Sequence, residues 1–334
     1  MNGAGGIATV MKEYRKVIKP FRSGSVNSCH GKLPGLLNLA WTLCKIAGYR
    51  TMGSKILHIH YAGQKSWKRE NMLAAIGRKL GYKTLMHCHC DLVLLDKHQG
   101  RSEIISKLSQ ADAHIVLANS YRDFAEKEIG LKNVSVIPNF TSAPGKTPET
   151  KLNNPPVFLF LGLLNRDKGF FDLLEACSRL VKDGLDFRLV VGGIGNMPEI
   201  ESFIAENHLA DKVELRGWIS GTDKEQALRS ADVLVLPSYT EGMPMVIIEA
   251  MLAGCAVIGT GVGAIPDMIG NSHAGTVVTP GDIDMLTQSM AAFIKDHNTL
   301  EQARTEALTV GQRYTPFSVL PQLENLYNNL LEQK

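Results

Sequence analysis

The chain has 334 residues, of which 44% are hydrophobic and 21% charged, and a formal net charge of +3. That length gives two domains of ordinary size, each able to bury its own core, and the composition is that of a soluble globular protein. It excludes a helical membrane span: the longest apolar run, residues 155–164, is about half of the ~20 residues that a bilayer requires.

The first residues, MNGAGGIATV, lack the basic-then-apolar order of a signal peptide, and the six cysteines fall into no paired framework. Together they predict a cytoplasmic protein. Charge is unevenly spread. Residues 1–150 hold 22 Lys and Arg against 10 Asp and Glu, and the remainder holds 14 against 23. The basic half predicts an anionic partner, a membrane surface ahead of nucleic acid, with a solvated basic face as the alternative.

In chain order, a Gly-rich turn around Gly5 and Gly6 opens a helical stretch whose Lys12, Arg15, Lys16, Lys19 and Arg22 interleave with Tyr14, Val17, Ile18 and Phe21. Such a segment suits a membrane interface or a solvated helix equally. A helix over residues 33–47, a strand over 55–60, a basic helix over 66–80 and strands over 84–90 and 113–118 follow. A helix over 120–129 and a strand over 134–137 close this half. Strands alternating with helices predict a parallel sheet.

The polar, Pro-containing stretch 141–156 reads as a linker. Beyond it the alternation resumes with strands at 157–161, 186–191, 213–215, 232–237 and 255–259. Helices fall at 170–182, 197–207, 222–229, from about Pro244, and at 285–296, 299–313 and 317–332. The expected organisation is a first domain over 1–145, a linker over 146–156, a second domain over 157–315, and a C-terminal helix over 316–334 packing back on the first.

Three stretches carry chemistry. His58, His60, His87 and His89 with Cys88 and Cys90 invite a metal reading. Ligands one residue apart on a strand converge poorly, however, and no CxxC is present, so no metal is expected. Gly193 and Gly195 with Glu214 form a partial dinucleotide fingerprint, spoiled by Pro198 at the third glycine. Residues 162–169, GLLNRDKG, place Arg166 and Lys168 at a strand-to-helix turn suited to a diphosphate, or simply on a basic surface loop.

The stretch 231–269 runs strand, polar loop, helix, strand. It carries Glu241 and Glu249 with no Lys or Arg between Ser230 and Gly270. On spacing alone the two acids read equally as surface groups or as holders of ligand hydroxyls. Pro244 fits the first helical turn, where its missing N–H costs nothing.

The pattern PxxxEGxPxxxxEAMxxGxxVI from Pro237 to Ile258, with GGIATV, HIH, HCH, GLLNRDKG, VVGGIG and RGW, resembles the retaining GT-B glycosyltransferases of family four. Enzymes of bacterial capsule, exopolysaccharide and O-antigen synthesis belong to it. The resemblance implies an α/β fold of two Rossmann-like domains facing across a cleft. It implies Glu249 on the donor ribose, Glu241 with Gly242 and Met243 on the donor sugar, and Lys168 on the diphosphate. Gly5 and Gly6 would lie over the diphosphate, Gly217 near the base, and His89 toward the sugar. It implies no cofactor and no metal.

The implied partners are a nucleotide-sugar donor, a lipid-pyrophosphate-linked glycan acceptor and an anionic membrane surface, with no nucleic acid. The implied location is the inner face of the cell membrane. Leu163 stands where the family usually has Arg, leaving Arg166 to serve the phosphate. The family's strand ahead of the Gly turn is missing, so either the start is misassigned or the chain is truncated. A non-catalytic nucleotide-sugar-binding homologue and a nucleotide-sugar epimerase are the alternatives.

Overall fold

The computed structural model describes Val10, Met11, Glu13, Tyr14 and residues 35–62, 64–93, 100–143, 152–270 and 272–332. The chain divides into two compact units, residues 1–139 with 316–334, and residues 140–315. Gly5, Gly6 and most of the basic segment 12–22 lie outside the described residues.

The first unit contains α1 (Gly35–Thr51), β1 (Ile56–Tyr61), α2 (Gln64–Lys79), β2 (Lys83–Cys88), α3 (Arg101–Leu108), β3 (Ala113–Val116), α4 (Asn119–Lys127) and β4 (Val134–Val136). Its four strands are parallel in the order β1-β2-β3-β4. The last helix of the chain (Pro316–Glu332) belongs to this unit and packs beside β1.

The second unit begins with β5 (Val157–Leu161), whose five residues are all buried. A strand covered on both faces needs such an unbroken apolar run. The following turn is built by Asn165, whose side chain accepts the Lys168 N–H and caps a short 3-10 turn over Arg166–Lys168. Gly169 then takes a left-handed conformation, φ 65°, and α5 (Phe170–Lys182) starts. Phe170, Leu173, Leu174, Cys177 and Leu180 recur at helical spacing and form its buried stripe. Burying each large side chain contributes roughly 1.5–3 kcal/mol, enough to fix the helix on the sheet.

Next come β6 (Arg188–Gly192), α6 (Met197–Glu206), β7 (Val213–Leu215), α7 (Gly221–Ser230), β8 (Val233–Leu236), α8 (Met245–Leu252) and β9 (Ala256–Thr260). Then follow α9 (Ile265–Ile269), β10 (Gly275–Val278), α10 (Ile283–Lys295) and α11 (His297–Gly311), and the terminal helix of the first unit is α12. The six strands are all parallel in the order β10-β9-β8-β5-β6-β7. Strand order therefore reverses between β5 and β8, and a doubly wound sheet opens a ligand crevice at the carboxyl ends of those two strands.

Candidate functional site

The loops leaving β5 and β8 meet at this switch point. Gly169 makes the meeting possible: a Cβ there would lie 1.9 Å from the Pro237 carbonyl oxygen. The Tyr239 N–H donates to the Asp167 carbonyl at 2.8 Å, so the loops share a backbone hydrogen bond. Lys168 Nζ donates to Glu241 Oε1 at 2.7 Å, and the Ser238 hydroxyl donates to the same oxygen at 2.8 Å. The Thr260 hydroxyl holds the Ser238 carbonyl, which ties the loop to the end of β9.

From the far side, Gly263 at φ 59° lets the next loop lie against Glu241 and Gly242, where a Cβ would stand 2.2 Å from the Glu241 carbonyl oxygen. The Gly242 carbonyl accepts the Ala264 N–H at 2.8 Å. Met243 is buried. Pro244 sits just outside α8, with extended backbone at ψ 119°, rather than in its first turn. It still costs no hydrogen bond, because the N–H it lacks would have had no partner within the helix.

Glu249 lies on α8 and pairs with Lys224 of α7 at 2.5 Å. Although no Lys or Arg lies near them in sequence, both acids are paired, Glu241 with Lys168 from the turn after β5 and Glu249 with Lys224 from α7. Lys224 was the residue that sequence reasoning missed. Nothing in its local pattern, on a polar helix, distinguishes it.

Arg166 stands apart from Glu241. It is exposed, pairs with Glu199 at 3.3 Å and covers the Phe171 ring at 4.9 Å. With Leu163, Asn165, Phe171, Ile194 and Asn196 it lines a cavity of about 440 Å³ between the loops after β5 and β6.

Gly193 and Gly195 serve packing: a Cβ on either would strike the backbone oxygen of Gly162 or Leu164 at 2.0 or 2.2 Å. Glu214, the acid of the partial dinucleotide fingerprint, is tied to Arg216 and Arg188. Gly217 has φ 64°, and its carbonyl accepts the Gly193 N–H at 2.8 Å. The RGW turn is thus attached to the loop after β6.

In the first unit, His89 lies beyond the end of β2, donating from Nδ1 to Asn139 Oδ1 at 3.2 Å and sharing a 2.8 Å hydrogen bond with His60. Burial holds the imidazole of His89 down at about 4 and that of His58 at about 3, while His60 and His87 are also far below the ordinary range. All four rings are neutral at physiological pH. The expectation that these side chains converge poorly is corrected here: β1 and β2 pair in register with His60 opposite His87, so two strands each present two rings on one face.

Residues 146–309 match the family model described as glycosyl transferases group 1. The fold is GT-B. One relative, "Putative colanic acid biosynthesis glycosyltransferase WcaL" of Salmonella typhimurium, is 30% identical over 200 residues, 57% of this chain and 48% of that protein. The chain thus spans about half the length of this curated relative. Among solved structures, Anabaena Alr3699/HepE in complex with UDP superposes with a TM-score of 0.73 at 19% identity, covering 89% of this chain and 84% of the other. The lipopolysaccharide outer core galactosyltransferase WaaB in apo form gives 0.74 at 19% identity, covering 98% and 97%. The group 1 match covers nearly all of the second unit, and the Lys168–Glu241 and Lys224–Glu249 pairs fall inside it.

Proposed function

We propose that this chain is a retaining hexosyltransferase. It moves a sugar from a nucleoside-diphosphate donor to a lipid-pyrophosphate-linked glycan in surface polysaccharide synthesis of the capsule or O-antigen kind. The observation that carries the reading is the Lys168–Glu241 pair at the β5/β8 switch point, with Glu249 held by Lys224 on the helix that follows. The relative named for colanic acid synthesis and the UDP complex of a structural neighbour support it.

In this reading Glu249 accepts hydrogen bonds from the donor ribose, and Lys224 keeps its carboxylate aimed. Glu241 holds hydroxyls of the transferred sugar, with Gly242 and Met243 beside it at the approach to α8. Lys168 meets the diphosphate. When the sugar–phosphate bond breaks, negative charge develops on the leaving oxygen. Lys168 and the helix start stabilise that charge, so the transfer itself needs no metal. The acceptor oxygen forms the new bond on the face that the diphosphate leaves, and its proton passes to the departing phosphate.

His89 acts toward the donor sugar, Gly5 and Gly6 over the diphosphate, and Gly217 near the base, as the family resemblance implies. Arg166 reaches a phosphate only by leaving Glu199, which makes it secondary to Lys168. The basic first half docks on anionic lipid at the inner face of the cell membrane.

The test incubates the full chain with nucleotide sugars and a lipid-linked acceptor, reading products by mass spectrometry and the new anomeric centre by NMR. Transfer with retention is expected, and Glu249→Ala weakens nucleotide binding at least ~tenfold, since a lost hydrogen bond to a charged group is worth about 1.5–3 kcal/mol. Undiminished binding in that variant refutes the donor site. Donor turnover without acceptor favours an epimerase, and binding without turnover a non-catalytic homologue.

A further inference from the structure

The proposed transfer leaves most of the histidine cluster of the first unit without a task. His58 and His60 of β1 and His87 of β2 share one sheet face with His89. His58 and His87 stack at 5.3 Å with their planes 6° apart, and His87 and His89 at 4.0 Å. His58 Nε2 and His87 Nδ1 are 3.2 Å apart. The edge of Tyr14 closes over His58, His60 and His87 at 5.1–6.1 Å.

His87 is fully buried, yet its Nε2 has no hydrogen-bond partner among the described residues.

We propose that His58, His60 and His87 form a binding site for one divalent transition-metal ion, with Zn²⁺ the fitting occupant. One ring nitrogen from each lies within 4.8 Å of the others. Two nitrogens on a tetrahedral zinc stand ~3.4 Å apart, given Zn–N bonds of about 2.0–2.1 Å. The 3.2 Å between His58 Nε2 and His87 Nδ1 already meets that spacing with His87 binding through Nδ1, and drawing in the third ligand from within 4.8 Å takes a movement of roughly an ångström.

Outer hydrogen bonds are in place, as bound imidazoles require. The Tyr327 hydroxyl holds His58 Nδ1 at 2.7 Å and His89 holds His60 Nδ1 at 2.8 Å, so both rings keep Nε2 for the ion. Three imidazoles with no carboxylate select zinc, copper or nickel over magnesium or calcium. Cys88 alternates to the opposite face of β2 and bonds to Cys90 instead. His58 and His60 are half-buried rather than sealed, which leaves an entry path.

The bound ion would join β1 and β2 and, through Tyr327, fix α12 on the sheet. Its residues belong to the first unit, whereas Lys168 and Glu241 belong to the second. The inference does not rest on the transfer reading.

The experiment uses tag-free full chain, stripped with chelator and dialysed. Zinc is titrated by calorimetry, bound metal is counted by mass spectrometry, and melting is followed with and without the ion. One ion per chain and a raised Tm are expected. Cobalt substituted for zinc should give the visible bands of a four-coordinate nitrogen site. His58→Gln with His87→Gln should lower zinc affinity at least ~100-fold, and Tyr327→Phe about tenfold, the range for outer partners. Wild-type chain that retains no zinc, or gives no cobalt bands and no shift in Tm, overturns the site. So does a double histidine variant with unchanged affinity. Because the wild-type arms need no substitution, a misfolded variant does not shield the inference.

Discussion

Gly169→Ala tests whether the two loops at the switch point must touch. The residue has φ 65°, and an added Cβ would lie 1.9 Å from the Pro237 carbonyl oxygen, about 1 Å inside the closest approach real Cβ atoms make. Gly184 is the internal control: its φ is 69°, but nothing stands within 4 Å of a Cβ there. Left-handed backbone costs alanine about 1–2 kcal/mol at either site. Only Gly169 adds the overlap, at roughly 1–3 kcal/mol where packing cannot open.

Urea unfolding should therefore show Gly184→Ala weakened by about 1–2 kcal/mol and Gly169→Ala by about 2–5 kcal/mol. Relief of the clash separates the loops that carry the Asp167–Tyr239 and Lys168–Glu241 hydrogen bonds. Calorimetry with a nucleoside diphosphate should accordingly give at least ~tenfold weaker binding for Gly169→Ala and none of that loss for Gly184→Ala. Equal destabilisation of the two variants, or normal binding in Gly169→Ala, refutes the reasoning.

Lys168→Gln should keep the fold, since the side chain is partly exposed, and lower kcat on the order of 10²–10³-fold, as loss of a leaving-group contact does; steady-state kinetics decides. Asp232, fully buried just before β8, accepts from Arg304, Asn153 and the Val157 N–H. Asp232→Ala leaves the Arg304 charge uncompensated and should cost about 3–5 kcal/mol in urea unfolding, with nucleotide affinity intact because Glu241 follows the other end of the strand. His114 on β3 is held down to about 4 by burial, below its unfolded value of about 6.5. Between those values the unfolded chain binds the extra proton, so its contribution is complete above pH 6.5 and is lost as pH falls toward 4. The wild-type stability curve should drop there by up to about 3 kcal/mol more than that of His114→Leu.

Much of the fold was legible because burial on both faces leaves a plain trace. Residues 157–161 and 170–182 are found with those bounds, and the other elements named from sequence within the described residues begin within two residues of expectation. Among the described residues, two α-helices and one strand escaped. Arg101–Leu108 is short and polar. Ile265–Ile269 has five residues and a proline. Gly275–Val278 begins with a glycine that lets its backbone lie against Val257, where a Cβ would be 1.8 Å from the carbonyl oxygen.

The acids were legible as a pair at fixed spacing on a loop and a helix. Their electrostatic state was not. Lys168 precedes Glu241 by 73 positions, and Lys224 belongs to a separate helix. The histidines erred in the same way: alternation along one strand gave their face correctly but omitted the neighbour in register.

The sequence by itself determined the alternation of strands and helices, the buried strands, and Glu241 and Glu249 on consecutive elements. These follow from periodicity and local backbone chemistry, which act over a few residues. Only the tertiary structure decided that β5 and β8 are neighbours, that each acid has a lysine, and that four imidazoles share one patch. Strand order and register set those proximities, and they arise from packing the whole sheet between its helices rather than from any segment of the chain.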